Sequence, residues 1–145
     1  MLKGGIIELF FKIVKISLFH LICCLLGMGI VAINLTFAEN HSTEIILYTI
    51  FSVVIIIAYF IFGYKFIDYY NEPENYISIW IISLFLVLLS FVDFQTASMV
   101  NMPFQPLGVL LSGDIFTEKG LCIFLSLIPS TVMQIGYILR MLLKR

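Results

Sequence analysis

Residues Ile45–Tyr64 have the sequence IILYTIFSVVIIIAYFIFGY, a run of 20 residues without a charged side chain. A helix of this length is about 30 Å long, at about 1.5 Å rise per residue, which matches the hydrocarbon core of a bilayer. A water-soluble domain of 145 residues has too little interior to enclose such a run. The stretch therefore predicts a membrane-spanning helix, and the rest of the chain is compatible with it.

The composition supports the same setting for the whole chain. The sequence is 61% hydrophobic and 12% charged, whereas soluble domains average about 25% charged residues. Its mean hydropathy is +1.11. The net charge of −1 gives no reason to expect a nucleic-acid partner. No polar stretch is long enough for a second unit, so we expect a single membrane domain over residues 1–145, with the lipid bilayer as its solvent.

Four apolar segments are long enough to cross the bilayer. The pattern predicts spans at about 16–38, 45–64, 76–94 and 120–140, and hence an all-α, integral membrane four-helix bundle. Residues 1–15 are basic and amphipathic, which is typical of an interfacial lead-in. We expect the first span to be retained, because its apolar core Ile16–Ile33 is longer than the apolar region of about 7–15 residues in a signal peptide.

The connection between the third and fourth spans contains a short apolar island, Leu107–Leu111. It is too short to cross a bilayer, so we expect it to be a partly re-entrant or interfacial turn of helix. Basic residues indicate the orientation. Seven of the eight lie in the N-terminal arm, the 65–75 loop and the C-terminus, and Lys119 is the other. The positive-inside rule then places both termini in the cytoplasm. The small size of the chain and its lack of organelle signals favour the plasma membrane.

Each span carries one stripe of polar or small residues, which in lipid should face the other helices. In the first span His20, Gly27 and Asn34 recur every seven residues. The stripes of the other spans are Tyr48, Ser52, Tyr59 and Gly63; Ser83, Ser90 and Asp93; and Ser126, Ser130 and Gln134. We select His20, Asn34, Ser90, Ser130 and Gln134 as intramembrane polar residues, and we expect His20 to hydrogen-bond with Gln134 in the inner half.

Two aspartates flank the connection on the predicted outer side, Asp93 in Val92-Asp93-Phe94 and Asp114. A close pair of carboxylates can share a proton and activate water. With its four spans and these two positions, the chain resembles lipoprotein signal peptidases, and the resemblance implies that Asp93 and Asp114 form a catalytic pair. The resemblance is limited to the segment Val92–Asp114 and to the number of spans. The family's Asn-Ala-Asp-Ser segment and its Gly-Asn…Asp-Arg segment are absent.

The remaining residues favour a function other than catalysis. Cys23, Cys24 and Cys122 have the spacing of small packed side chains, so we predict no metal site and no cofactor. The sequence has no nucleotide-binding motif and no soluble domain. We therefore expect a non-enzymatic binding, accessory or immunity/regulatory component of a membrane complex, whose partner is another membrane protein or a second copy. The alternatives are the aspartyl peptidase and an oligomeric transporter of a small solute or ion.

Overall fold

A computed structural model describes residues 2–37, 41–67, 73–111 and 117–143. Nearly all of these residues are helical, and none of them lies in a strand. The elements in chain order are α1 (Leu2–Phe37), α2 (His41–Phe66), α3 (Pro73–Val92), α4 (Phe94–Val100), a 3₁₀ turn (Met102–Phe104), α5 (Gln105–Leu111) and α6 (Glu118–Leu143).

Helices α1, α2, α3 and α6 are each long and apolar enough to cross a membrane. Large apolar side chains point outward from all four, while a continuous core of buried residues joins them. This inside-out distribution suits a protein whose solvent is lipid. The prediction of an all-helical membrane protein with four apolar spans is therefore confirmed.

Helix α1 begins well before the predicted start of its span at residue 16. Two basic residues of this first part, Lys12 and Lys15, each have a polar partner. Lys12 forms an ion pair with Glu8 one turn earlier, at 2.9 Å, and Lys15 Nζ donates to the carbonyl of Phe66. Helix α3 also starts earlier than predicted, at Pro73. A proline is accepted there because the first turn of a helix has no intrahelical use for its N–H.

Helices α2 and α6 pack against each other through two glycines. A methyl group at Gly63 would lie 2.0 Å from the Met133 carbonyl oxygen, and one at Gly136 would lie 2.3 Å from the Phe60 carbonyl oxygen. Each glycine thus admits the backbone of the opposite helix, as small residues do at helix interfaces in membranes. Helix α3 is joined to α6 by the Ser130 hydroxyl, which donates to the Ile79 carbonyl at 2.6 Å.

The segment from α4 to α5 packs among the long helices. Asp93 precedes it as the N-cap of α4 and accepts from the backbone N–H groups of Gln95 and Thr96. Its almost completely buried residues include Ala97, Asn101, Pro103, Phe104 and Pro106. The 3₁₀ turn lies directly on α1, where a methyl group at Gly27 would be 2.7 Å from the Met102 carbonyl oxygen. The apolar island of the sequence therefore lies in a helix, α5, that buries Pro106 and Gly108 and leaves Val109 and Leu111 exposed.

Candidate functional site

His20 is the centre of a buried polar cluster that joins α1, α2 and the end of α4. Its Nδ1 lies 2.5 Å from the Tyr59 hydroxyl, and its Nε2 lies 3.1 Å from the Val100 carbonyl oxygen. A carbonyl only accepts, so Nε2 carries the proton and Nδ1 accepts from the Tyr59 hydroxyl. The Cys24 thiol donates to the same carbonyl at 3.2 Å. The neutral imidazole therefore has a partner on each nitrogen and holds the 94–111 segment to α1.

The expected hydrogen bond between His20 and Gln134 is not formed. Both ring nitrogens of His20 have other partners, and Gln134 Oε1 accepts from the Trp80 indole N–H of α3. The prediction paired the two residues by depth alone. It did not allow for the backbone carbonyl of Val100, because the analysis of polar stripes considers only side chains. The histidine is buried, but it faces the 94–111 segment and α2 rather than α6.

Asn101 forms a second polar cluster, between the 94–111 segment and α6. It is 1% exposed, and its amide nitrogen donates to the Ser126 hydroxyl at 2.8 Å, with longer contacts to the carbonyl and sulfur of Cys122. The Ser90 hydroxyl lies 3.5 Å from the same sulfur. Among the residues that the structure describes, the amide oxygen of Asn101 has no hydrogen-bond partner. A buried amide oxygen without a partner is costly, so this atom marks a place where a donor is missing.

Asn101 also lines a cleft, which we call the Asn101 cleft, of about 300 Å³. Its polar lining residues are Ser98, Asn101, Gln105 and Glu118, and its other lining residues are Gly108, Val109, Leu121, Cys122 and Leu125. The Gln105 amide donates to the Ser98 hydroxyl at 2.7 Å, which fixes one wall. The nearby Lys119 ammonium lies over the Phe91 ring, 5.2 Å from its centroid, and is not among the lining residues. The lining is therefore rich in hydrogen-bond acceptors and has no cation.

The other predicted intramembrane polar residues are distributed along the bundle. Asn34 and Ser90 are buried, and the side-chain oxygen of Asn34 has no partner. Ser90 donates to the Leu86 carbonyl one turn earlier, at 2.8 Å. Ser130 joins α6 to α3, as described above. These three residues, His20 and Gln134 are thus not gathered into one pocket, and their functional roles stay predictions.

Asp93 is exposed and serves as a helix cap. Its Oδ2 accepts from the Thr96 hydroxyl, and its Oδ1 accepts from two backbone N–H groups. The Thr96 hydroxyl is the largest cause that lowers the pKa of this carboxyl, followed by the Thr96 N–H. A catalytic pair that shares a proton needs one raised pKa. Asp114 lies outside the described residues, so the catalytic pairing of Asp93 and Asp114 stays a prediction.

Two features of the site were missed by sequence reasoning, Asn101 and the Val100 carbonyl. Both lie in the connection between the third and fourth spans, of which the sequence analysis singled out only the apolar island Leu107–Leu111. A usable signal was present, because Asn101 is a single amide within the apolar run Met99–Phe104, which is unusual for a solvated loop. Within the described part of the chain, no group of three or more His, Cys, Asp or Glu side chains is placed to hold a metal ion.

Comparisons with protein-family models, curated proteins and solved structures found no match to this chain.

Proposed function

We propose that this chain is a non-enzymatic binding protein of the plasma membrane, an accessory or regulatory component that recognises another membrane protein through the Asn101 cleft. The observation that carries the proposal is the unpartnered, buried amide oxygen of Asn101 in the lining of that cleft. A binding site of this kind combines an apolar lining with a few polar groups that fix orientation. The composition of the cleft fits that description.

The lining indicates the chemistry of the partner. Asn101 and Glu118 offer acceptor oxygens, and Leu121 and Leu125 offer apolar surface. A complementary segment carries a hydrogen-bond donor flanked by apolar side chains. Val109, which is 43% exposed, continues the apolar surface out of the cleft. A helix of a second membrane protein presents both features together, because small and polar residues hold helices together in lipid.

The proposal includes the orientation of the chain and the insertion of the 94–111 segment. Lys15 and Arg140 both donate to carbonyls at the C-terminal end of α2, so basic residues of α1 and α6 gather at one end of the bundle. The positive-inside rule makes that end cytoplasmic. The Asn101 cleft then opens toward the outer side, and the 94–111 segment is re-entrant from that side. Its contacts with His20 and Ser126 support this arrangement.

Site-specific photo-crosslinking in intact cells tests the function. A benzophenone-bearing residue is placed at Val109, in the cleft, or at Ile61 of α2, which has the same exposed fraction of 43% but lies outside the cleft. We expect a discrete protein adduct from position 109 and none from position 61. The mass of the adduct distinguishes a different protein from a second copy of this chain.

A charge reversal within the cleft provides the control. Glu118→Lys should reduce the adduct from position 109, because it replaces an acceptor in the lining with a cation. Lys119→Glu is the matched change, since Lys119 lies on the same turn of α6 but contacts the Phe91 ring. Equal adduct yields from positions 109 and 61, or equal effects of the two reversals, would contradict the proposal.

The oligomeric transporter remains an alternative prediction. Helices α2 and α6 touch backbone to backbone at Gly63 and Gly136 and leave no pore between them, so a transporter would need a pathway elsewhere, such as between copies.

A further inference from the structure

A second cavity lies at the other end of the bundle, among the basic residues. It has a volume of about 180 Å³. Its lining residues come from α1, from the end of α2 and from α3: Glu8, Phe11, Lys12, Lys15, Ile16, Phe62, Phe66, Ile67 and Ser78. Two cations and one carboxylate therefore face a space that is otherwise mainly apolar.

The three charged groups of the cavity differ in solvent exposure and in their polar contacts. The Lys12 side chain is 10% exposed, whereas that of its partner Glu8 is 56% exposed, so the carboxylate lies on the outer side of the ion pair. Lys15 donates to the Phe66 carbonyl and lies 5.8 Å from the centroid of the Phe66 ring. A lysine ammonium has three donors, so this bond leaves donors available on Lys15. The charged lining carries a net positive charge of one.

The apolar lining continues onto the lipid-facing surface. Phe11 and Phe66 line the cavity and are both more than half exposed. A ligand in this cavity thus meets cations at one end and aromatic surface at the other. Arg140 donates to the carbonyl of Ile67, itself a lining residue, and adds a further cation close to the cavity.

We infer that this cavity binds the phosphate of an anionic phospholipid, with Lys12 and Lys15 as the phosphate ligands and the acyl chains lying along Phe11 and Phe66. Basic pockets between membrane helices bind anionic head groups in this way. The volume suits a head group rather than a whole lipid, so the chains stay in the bilayer. The inference is independent of the Asn101 cleft, because the two cavities share no lining residue.

Lipid-dependent thermal stabilisation tests the inference. The full chain, purified in a non-ionic detergent, is titrated with phosphatidylglycerol or phosphatidylcholine while its melting temperature is followed. We expect phosphatidylglycerol to stabilise the protein at lower concentrations than phosphatidylcholine. Lys12→Gln or Lys15→Gln should each weaken the phosphatidylglycerol effect about fivefold, since a lysine near the head groups contributes about that factor. The melting temperature of each variant with lipid is compared with that of the same variant without lipid, so a change in intrinsic stability does not affect the comparison.

Two matched variants make the outcome decisive. Glu8→Gln should strengthen the response to phosphatidylglycerol, because it removes the carboxylate that neutralises Lys12. Lys119→Gln removes a cation that does not line this cavity and should leave the response unchanged. Equal stabilisation by both lipids, or the same loss from Lys119→Gln as from Lys12→Gln, would overturn the inference. Stabilisation by glycerol 3-phosphate with none by phosphatidylglycerol would also overturn it, because the ligand would then be a soluble phosphate ester.

Discussion

At the scale of single residues, Asp93 shows how both oxygens of a carboxylate that caps a helix can be hydrogen-bonded, one to backbone N–H groups and one to a hydroxyl. Its hydrogen bonds hold the folded-state pKa below the usual carboxyl value. Ionised Asp93 therefore stabilises the fold above the unfolded-state pKa, about 3.9, and this contribution is lost as the pH falls through the folded value. We expect the melting temperature in detergent to drop below about pH 4, and Asp93→Asn to flatten that drop, since asparagine caps without titrating.

A second variant tests the contribution of the Thr96 hydroxyl to the cap. Thr96→Val removes the hydroxyl that donates to Asp93 and should raise the midpoint of the acid transition toward the ordinary carboxyl value. An unchanged acid transition in both Asp93→Asn and Thr96→Val would show that the cap does not control it.

The hydrogen bond between His20 and Tyr59 lends itself to a double-mutant cycle. Tyr59→Phe removes the donor to Nδ1, and His20→Leu removes the acceptor. Cycles in membrane proteins average a coupling of about 0.6 kcal/mol and reach about 1.7 kcal/mol, and we expect a value toward the upper end because both side chains are buried. Unfolding in a mixed detergent measures it. In the control cycle Ser52→Ala replaces Tyr59→Phe, because the Ser52 hydroxyl donates within its own helix, to the Tyr48 carbonyl. A coupling energy in the control cycle as large as in the test cycle would refute the hydrogen bond between His20 and Tyr59.

At the scale of elements, the contact of α2 with α6 depends on two positions that have no side chain. Gly63→Ala and Gly136→Ala each place a methyl group on a backbone carbonyl, which cannot move aside as a side chain can. Overpacking typically costs about 1–3 kcal/mol, and we expect each substitution to lower the free energy of unfolding by at least that much.

Gly29 provides the matched control for the two glycine substitutions. Apart from its own stretch of helix, no atom of the described residues lies within 4 Å of a methyl group built on it, so Gly29→Ala should be neutral or raise stability by up to about 1 kcal/mol through helix propensity. If Gly29→Ala and Gly63→Ala have the same effect on the melting temperature, close packing of α2 on α6 is not what stabilises the pair.

At the scale of the whole molecule, topology can be measured with fused reporters. The proposed orientation predicts that a fluorescent protein fused after Arg145 is fluorescent and that alkaline phosphatase at the same place is inactive, because both report a cytoplasmic location. A phosphatase inserted between residues 38 and 40 should be active. The opposite pattern would reverse the orientation and place the Asn101 cleft in the cytoplasm.

Much of this architecture is predictable from the sequence, because hydropathy is a local property. The run Ile45–Tyr64 alone indicates the membrane, and the seven-residue recurrence of His20, Gly27 and Asn34 indicates a face that the structure buries. The partners of those side chains are not predictable in the same way. Val100 is linked to His20 across 80 positions of sequence, through a backbone carbonyl. Such a pairing depends on how the helices are arranged, which no single stretch encodes.

The hydrogen bonds of Asn101 have a consequence for biosynthesis. Its partners Cys122 and Ser126 belong to α6, which follows the 94–111 segment along the chain and is therefore synthesised after it. Until α6 has been made, the amide of Asn101 has neither of these acceptors, and an unsatisfied polar group is costly in hydrocarbon. We therefore expect nascent chains to keep the 94–111 segment at the water interface until translation has delivered α6. A polypeptide truncated before residue 118 would display this stretch to the quality-control proteases of the membrane.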